Sequence, residues 1–141
     1  MILTPITTAE FFLVGAAYIP SIVGMAQQRR YLRENPRIQS EADMEHYRNF
    51  VRAQMYLAMI FIACGGPAFL LILADQFMGG YQRTITESLL LAAPYMPFFF
   101  TGKISKNMER QIKNPSRCAP QFAEEFDYIG FAWKKQLFPR F

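Results

Sequence analysis

Apolar and charged positions are sharply segregated along this chain. Residues 55–74, MYLAMIFIACGGPAFLLILA, run for twenty positions without a charge. As a helix rising ~1.5 Å per residue, that stretch reaches the ~30 Å hydrocarbon thickness of a bilayer. An uncharged run from Phe11 to Ala26 precedes it, and SLLLAAPYMPFFFTG follows and ends at Gly102. Each run predicts a membrane-spanning helix: the first reaches about 20 residues once its entry from Ile6 is included, and the third has eighteen from Ile85, the minimum for a span, with a re-entrant or interfacial segment as its alternative.

Local signals punctuate these runs. Thr7-Thr8-Ala9-Glu10, Ser40-Glu41-Ala42-Asp43 and Thr84-Ile85-Thr86-Glu87 all fit the capping-box spacing, in which a hydroxyl and a carboxylate three residues on satisfy each other's free backbone N–H groups. Asn35-Pro36 and Asn114-Pro115 mark stops, because the residue before proline is pushed out of the helical region. Between the first stop and the central run, Met44, Tyr47, Phe50/Val51 and Met55 advance by three or four, as one helical face does. One long helix is therefore predicted from near Ser40 into the apolar run, its first turns standing outside the bilayer. Gly65-Gly66-Pro67 predicts a break in its middle. Pro20, Pro94 and Pro97 predict bends in its neighbours, and Met78 to Arg83 predicts a tight turn. Lys103 to Lys113 extends the third helix into water. In the tail, Phe122, Phe126, Ile129, Trp133 and Leu137 recur at helical spacing and predict an amphipathic helix. Its aromatic face needs cover from the chain's own extramembrane helix, from the bilayer surface or from a partner.

The expected fold is thus an all-α membrane protein with three transmembrane helices, two Pro-kinked and the central one broken at Gly-Gly-Pro. Residues 1–102 form the transmembrane domain, with a cytoplasmic loop at 27–52, and residues 103–141 form a basic, aromatic cytoplasmic tail. Charged residues make up 18% of the chain, below the ~25% of soluble domains. The net charge of +4 fits the basic excess of cytoplasmic segments better than it fits nucleic-acid binding. Lys and Arg number none before the first run, six in 27–52, one in 79–84 and eight after 102, which accounts for all fifteen. The positive-inside rule then places the N-terminus outside, in periplasm or lumen, and the C-terminus in the cytoplasm. The N-terminus carries no Lys or Arg before its apolar run and so lacks the positive n-region of a cleaved signal; the first helix is expected to be retained.

Reactive chemistry is sparse. The single histidine, His46, lies outside the apolar runs, and Cys64 and Cys118 fall in unlike surroundings, which argues against a disulfide. There is no phosphate loop, metal-spaced carboxylate pair or nucleophile triad, so the chain is not expected to be an enzyme or to hold a cofactor of its own. Lipid, quinone or pigment contacts would have no motif behind them. The remaining expectation is a small accessory subunit with a structural or assembly role in a larger membrane complex, an energy-transducing one being a candidate. The alternative is a homo-oligomeric channel or transporter. Partners would be other membrane subunits and the bilayer. The helix-packing or partner-contact residues would be Gly15, Ala16, Gly65, Gly66, Pro67, Phe122, Phe126 and Trp133.

Overall fold

A computed structural model describes residues 5–78, 84–135, 138 and 141. Among them the chain is helical and holds no strand. Five helices follow in order: α1 Pro5–Glu34, α2 Glu41–Met78, α3 Ile85–Ala92, α4 Met96–Ile112 and α5 Ala123–Gly130.

The helix ends follow the local chemistry. α1 stops just before Asn35-Pro36, and its successor is opened by Ser40 and Asp43. The Ser40 N–H donates to the Asp43 carboxylate at 2.9 Å and the Asp43 N–H donates to Ser40 Oγ at 3.2 Å. Thr84 and Glu87 repeat that reciprocal cap at the start of α3. α2 then runs without interruption for 38 residues, joining a polar start to the apolar run as its periodicity predicts. α3 and α4 are consecutive parts of a third helical stretch, separated by one 3-10 turn, Ala93–Tyr95. The cause is Pro97, which has no N–H to give the Ala93 carbonyl, so the Met96 N–H takes that carbonyl instead. α4 ends at Ile112, before Asn114-Pro115.

Three expectations are corrected. α2 passes through Gly65-Gly66-Pro67 as continuous helix. A proline removes only one hydrogen bond, and the bonds on either side hold the helical path. α1 already includes Pro5, so Thr7 lies inside the helix and is not its N-cap. The C-terminal helix is shorter than predicted: α5 ends at Gly130, and a 3-10 turn, Ala132–Lys134, follows. The turn expected beyond Met78 falls at 79–83, outside the described residues.

α1 and α2 pair along their length. The inward side of α1 carries Thr7, Glu10, Val14, Ala17, Gly24, Gln28 and Tyr31, a spacing of sevens with half-buried Ser21 filling the gap. That is the 3.5-residue period of a coiled-coil seam. Apart from Val14 and Tyr31 its members are small or polar, Pro20 is buried beside them, and Phe12, Ile19 and Ile22 point outward. The third helical stretch lies against α1. Tyr18 stacks on Phe98 with ring centroids 4.3 Å apart and donates to the Pro94 carbonyl, and Phe98 meets Phe61 of α2 edge-on at 5.3 Å.

The largest group of buried apolar side chains lies at one end, where the last turns of α1 and α4, the first turns of α2, and α5 converge. Tyr31, Met44, Tyr47, Ile112, Phe126 and Ile129 pack together there. This unit is called the platform below. It is clipped by a parallel bridge: Ile38 N–H donates to the Arg117 carbonyl at 2.7 Å, and Ala119 N–H donates to the Ile38 carbonyl at 3.0 Å. The Arg117 guanidinium also donates to the carbonyls of Asn35 and Pro36. Parts of loop 27–52 and of the tail up to Gly130 thereby pack together.

Candidate functional site

Two helices, Thr7–Glu34 and Glu41–Ala74, are long and apolar enough to cross a membrane. In the second, only 6% of the most apolar window is buried, whereas the core helix of a soluble protein is mostly covered. Phe12 is 78% exposed and Phe99 71%, and Ile62, Phe69, Leu70 and Leu89 are also open. A belt of large apolar side chains thus faces away from the bundle, well beyond the scattered exposure of soluble monomers.

The expected contact residues do not form one site. Gly15 is exposed and Ala16 half-buried. Gly65 and Gly66 are half-buried, Pro67 is exposed, and a Cβ on either glycine or on Gly15 would meet nothing within 4 Å. Phe126 is 2% exposed inside the platform core, and Phe122 packs beside it. The tail's aromatic face is therefore covered at these two positions by the chain itself. The side chain of Trp133 lies outside the described residues.

Between the belt and the platform, α2 and α4 flank an open cleft of about 440 Å³, which Gln28 of α1 also lines. Its walls descend along α2 from Tyr47 through Val51 and Met55 to Ala58 and Ile62, with Ser105, Glu109 and Ile112 opposite. Gly130 of α5 and Lys113 close the platform end. A neutral polar network crosses its middle. Gln28 Nε2 donates to Gln54 Oε1 at 3.3 Å, Ser105 Oγ donates to Gln28 Oε1 at 3.0 Å, and Gln54 Nε2 donates to Gln27 Oε1 at 3.0 Å. Glu109 in the last turn of α4 and Lys113 just past its end form an ion pair.

The hydroxyl of Tyr47, a residue 0% exposed, has no hydrogen-bond partner among the described residues, and the Tyr31 hydroxyl is in the same condition. A buried hydroxyl without a partner is costly. Sequence periodicity places Tyr47 on the buried face of α2 but gives no sign that its oxygen is unmet. Gln28 and Glu10 were missed outright. Gln28 stands beside Arg29 and Arg30 and reads as a return to water, yet it is buried. Glu10 reads as a capping residue, yet it is 1% exposed and accepts from the Tyr95 hydroxyl at 3.3 Å. The recoverable signal was the spacing of sevens linking Thr7, Val14 and Gln28.

Both cysteines are free. Burial pushes the Cys118 thiol up from its ordinary 9, and Asp127 and Glu125 add to the shift. Less thiolate is then present at any given pH, so Cys118 in a Cys64→Ser variant is expected to alkylate with iodoacetamide several-fold more slowly than glutathione at pH 8.5. The midpoint of its pH–rate curve should lie above 9; a midpoint at or below that value would refute the burial argument.

No group of three or more metal-ligating side chains occurs among the described residues. No protein family matches the chain, nor does any curated protein or solved structure.

Proposed function

We propose that this chain is a small integral membrane protein serving as an accessory subunit, structural or assembly-related, in a larger membrane complex. α1, α2 and the α3–α4 stretch each cross the bilayer, with the N-terminus outside and the platform on the cytoplasmic side. The observation that carries this reading is the division of the molecule. A self-contained platform core sits beside helices whose largest apolar side chains are uncovered. Lipid covers much of such a belt, and open small-residue positions suit close helix approach. Gly15 on α1 and Gly65-Gly66 on α2 are the positions proposed to meet neighbouring subunits. The basic excess in 27–52 and after 102 supports the orientation.

Blue-native electrophoresis of the tagged chain after mild detergent extraction tests the reading. The expected result is a band far above monomer mass that shifts toward it in Gly66→Leu, where the added side chain blocks approach. A wild-type band at monomer mass only would overturn the subunit proposal.

A further inference from the structure

We propose that the cleft between α2 and α4 holds one acyl chain of a bilayer lipid, whose uncharged ester carbonyl accepts a hydrogen bond from the Tyr47 hydroxyl. The proposal rests on the membrane reading above.

Size and shape come first. About 440 Å³ lies within the ~300–1,000 Å³ range of small-molecule sites. From Tyr47 to Ile62 the wall extends along fifteen residues of α2, about 22 Å at helical rise, so the space is long enough for an extended chain. Met55 and Met59 line its lower part, and unbranched thioether side chains adapt readily to a flexible hydrocarbon.

Polarity then fixes the direction. The apolar end, at Ala58 and Ile62, adjoins the exposed belt, and the Gln28–Gln54–Ser105 network lies above it. Tyr47, Gly130 and Lys113 form the platform end. A chain entering from the belt passes this network, whose members are already bonded to one another, and brings its ester end to the platform side, as a lipid of the platform-side leaflet would.

Charge and hydrogen bonding select the head. The lining holds one carboxylate and one ammonium, already paired with each other, so an anionic head would gain no unmatched cation. The glutamines and Ser105 bond among themselves. The Tyr47 hydroxyl is the donor in the lining whose partner is missing among the described residues. It stands where a Cβ on Gly130 would come within 2.9 Å of it, and the Lys113 stem lies 3.8 Å from that same point. An ester carbonyl reaches it once this flexible stem turns aside.

Tritiated monooleoylglycerol binding to the purified full-length chain in detergent, separated by gel filtration, tests the proposal. Saturable uptake near one per chain is expected. Tyr47→Phe should weaken it about 3–10-fold, the value of one neutral hydrogen bond, and Ala58→Trp should abolish it by filling the groove. Circular dichroism of both variants should match the wild type. Absence of saturable uptake, or uptake unchanged in both variants, overturns the site. So does oleate binding as tightly as the ester with strong salt dependence, or uptake of decylubiquinone that the ester does not displace. A carbonate wash separates the two failures. Release from the membrane refutes the membrane reading, while a retained chain that takes up no ester refutes only the lipid site.

Discussion

Phe126→Ala is expected to undock α5 from the platform, raising hydrogen exchange of the 123–130 amides roughly 10²–10³-fold while leaving the apolar stretch of α2 unchanged. Phe126 stacks on Tyr47 with centroids 4.7 Å apart and is packed in one cluster with Ile112 and Ile129. Truncating a buried phenylalanine costs about 3–5 kcal/mol, as lost transfer energy plus an unfilled cavity. What else holds α5 is weaker. The Arg48–Glu125 ion pair is partly exposed, and such pairs contribute about 0–1 kcal/mol. The contact of Arg52 with Phe141, through the carbonyl and over the ring at 6.0 Å, anchors the chain beyond α5. At about 1.4 kcal/mol per tenfold, most of the lost energy should appear as local opening, since exchange follows the population of the open form. Unchanged protection of α5 would mean that the aromatic stack does not dock it.

Gly130→Ala should destabilise the platform by about 1–2 kcal/mol, the cost of forcing a methyl into filled space, and the sign should reverse in a Tyr47→Phe background. Two effects compete. Alanine is favoured over glycine in a helix by up to about 1 kcal/mol. Against that, the new methyl would sit 2.9 Å from the Tyr47 hydroxyl oxygen. That oxygen cannot retreat freely, because its ring is held by Phe126 and by Tyr31, the latter with centroids 6.2 Å away. In the Tyr47→Phe background the oxygen is gone and the helix preference of alanine is left. Tyr47→Phe alone should be neutral or mildly stabilising in the lipid-free chain, since it removes an unmet buried hydroxyl. Guanidinium titrations of the four proteins, followed by exchange at α5, give the coupling directly. Additive effects would place the hydroxyl elsewhere.

The boundaries around residues 34–41, 84 and 112 were readable because they depend on neighbours in sequence. Ser40 with Asp43, Thr84 with Glu87, and the two Asn-Pro pairs act within one turn, and their chemistry works the same in any surroundings. The platform core was partly readable for a similar reason: Met44, Tyr47, Val51 and Met55 are large, apolar and regularly spaced. The seam was not. Hydropathy detects the apolar side of a helix, and on α1 its largest members, Phe12, Ile19 and Ile22, are the exposed ones, while the inward side is set by shape and by bonds to helices distant in sequence. Glu10 meets Tyr95, 85 positions away, and Gln28 meets Ser105, 77 positions away. The cavity was hidden for the same reason, because it exists only where α2 and α4 stand apart. Continuity through Gly65-Gly66-Pro67 was misjudged because propensity weighs each residue singly, whereas a 38-residue helix absorbs one missing bond.

The seam of α1 divides its positions into two vocabularies. In the proposed bilayer setting the outward sites would meet hydrocarbon, which makes nearly the same contact with leucine, isoleucine or phenylalanine, so those letters would be interchangeable. At Thr7, Glu10 and Gln28 burial makes the hydrogen-bonding pattern matter, and at Ala17, 1% exposed, it makes size matter. The residues that tell this bundle how to pair are therefore the ones that contribute least to its greasiness.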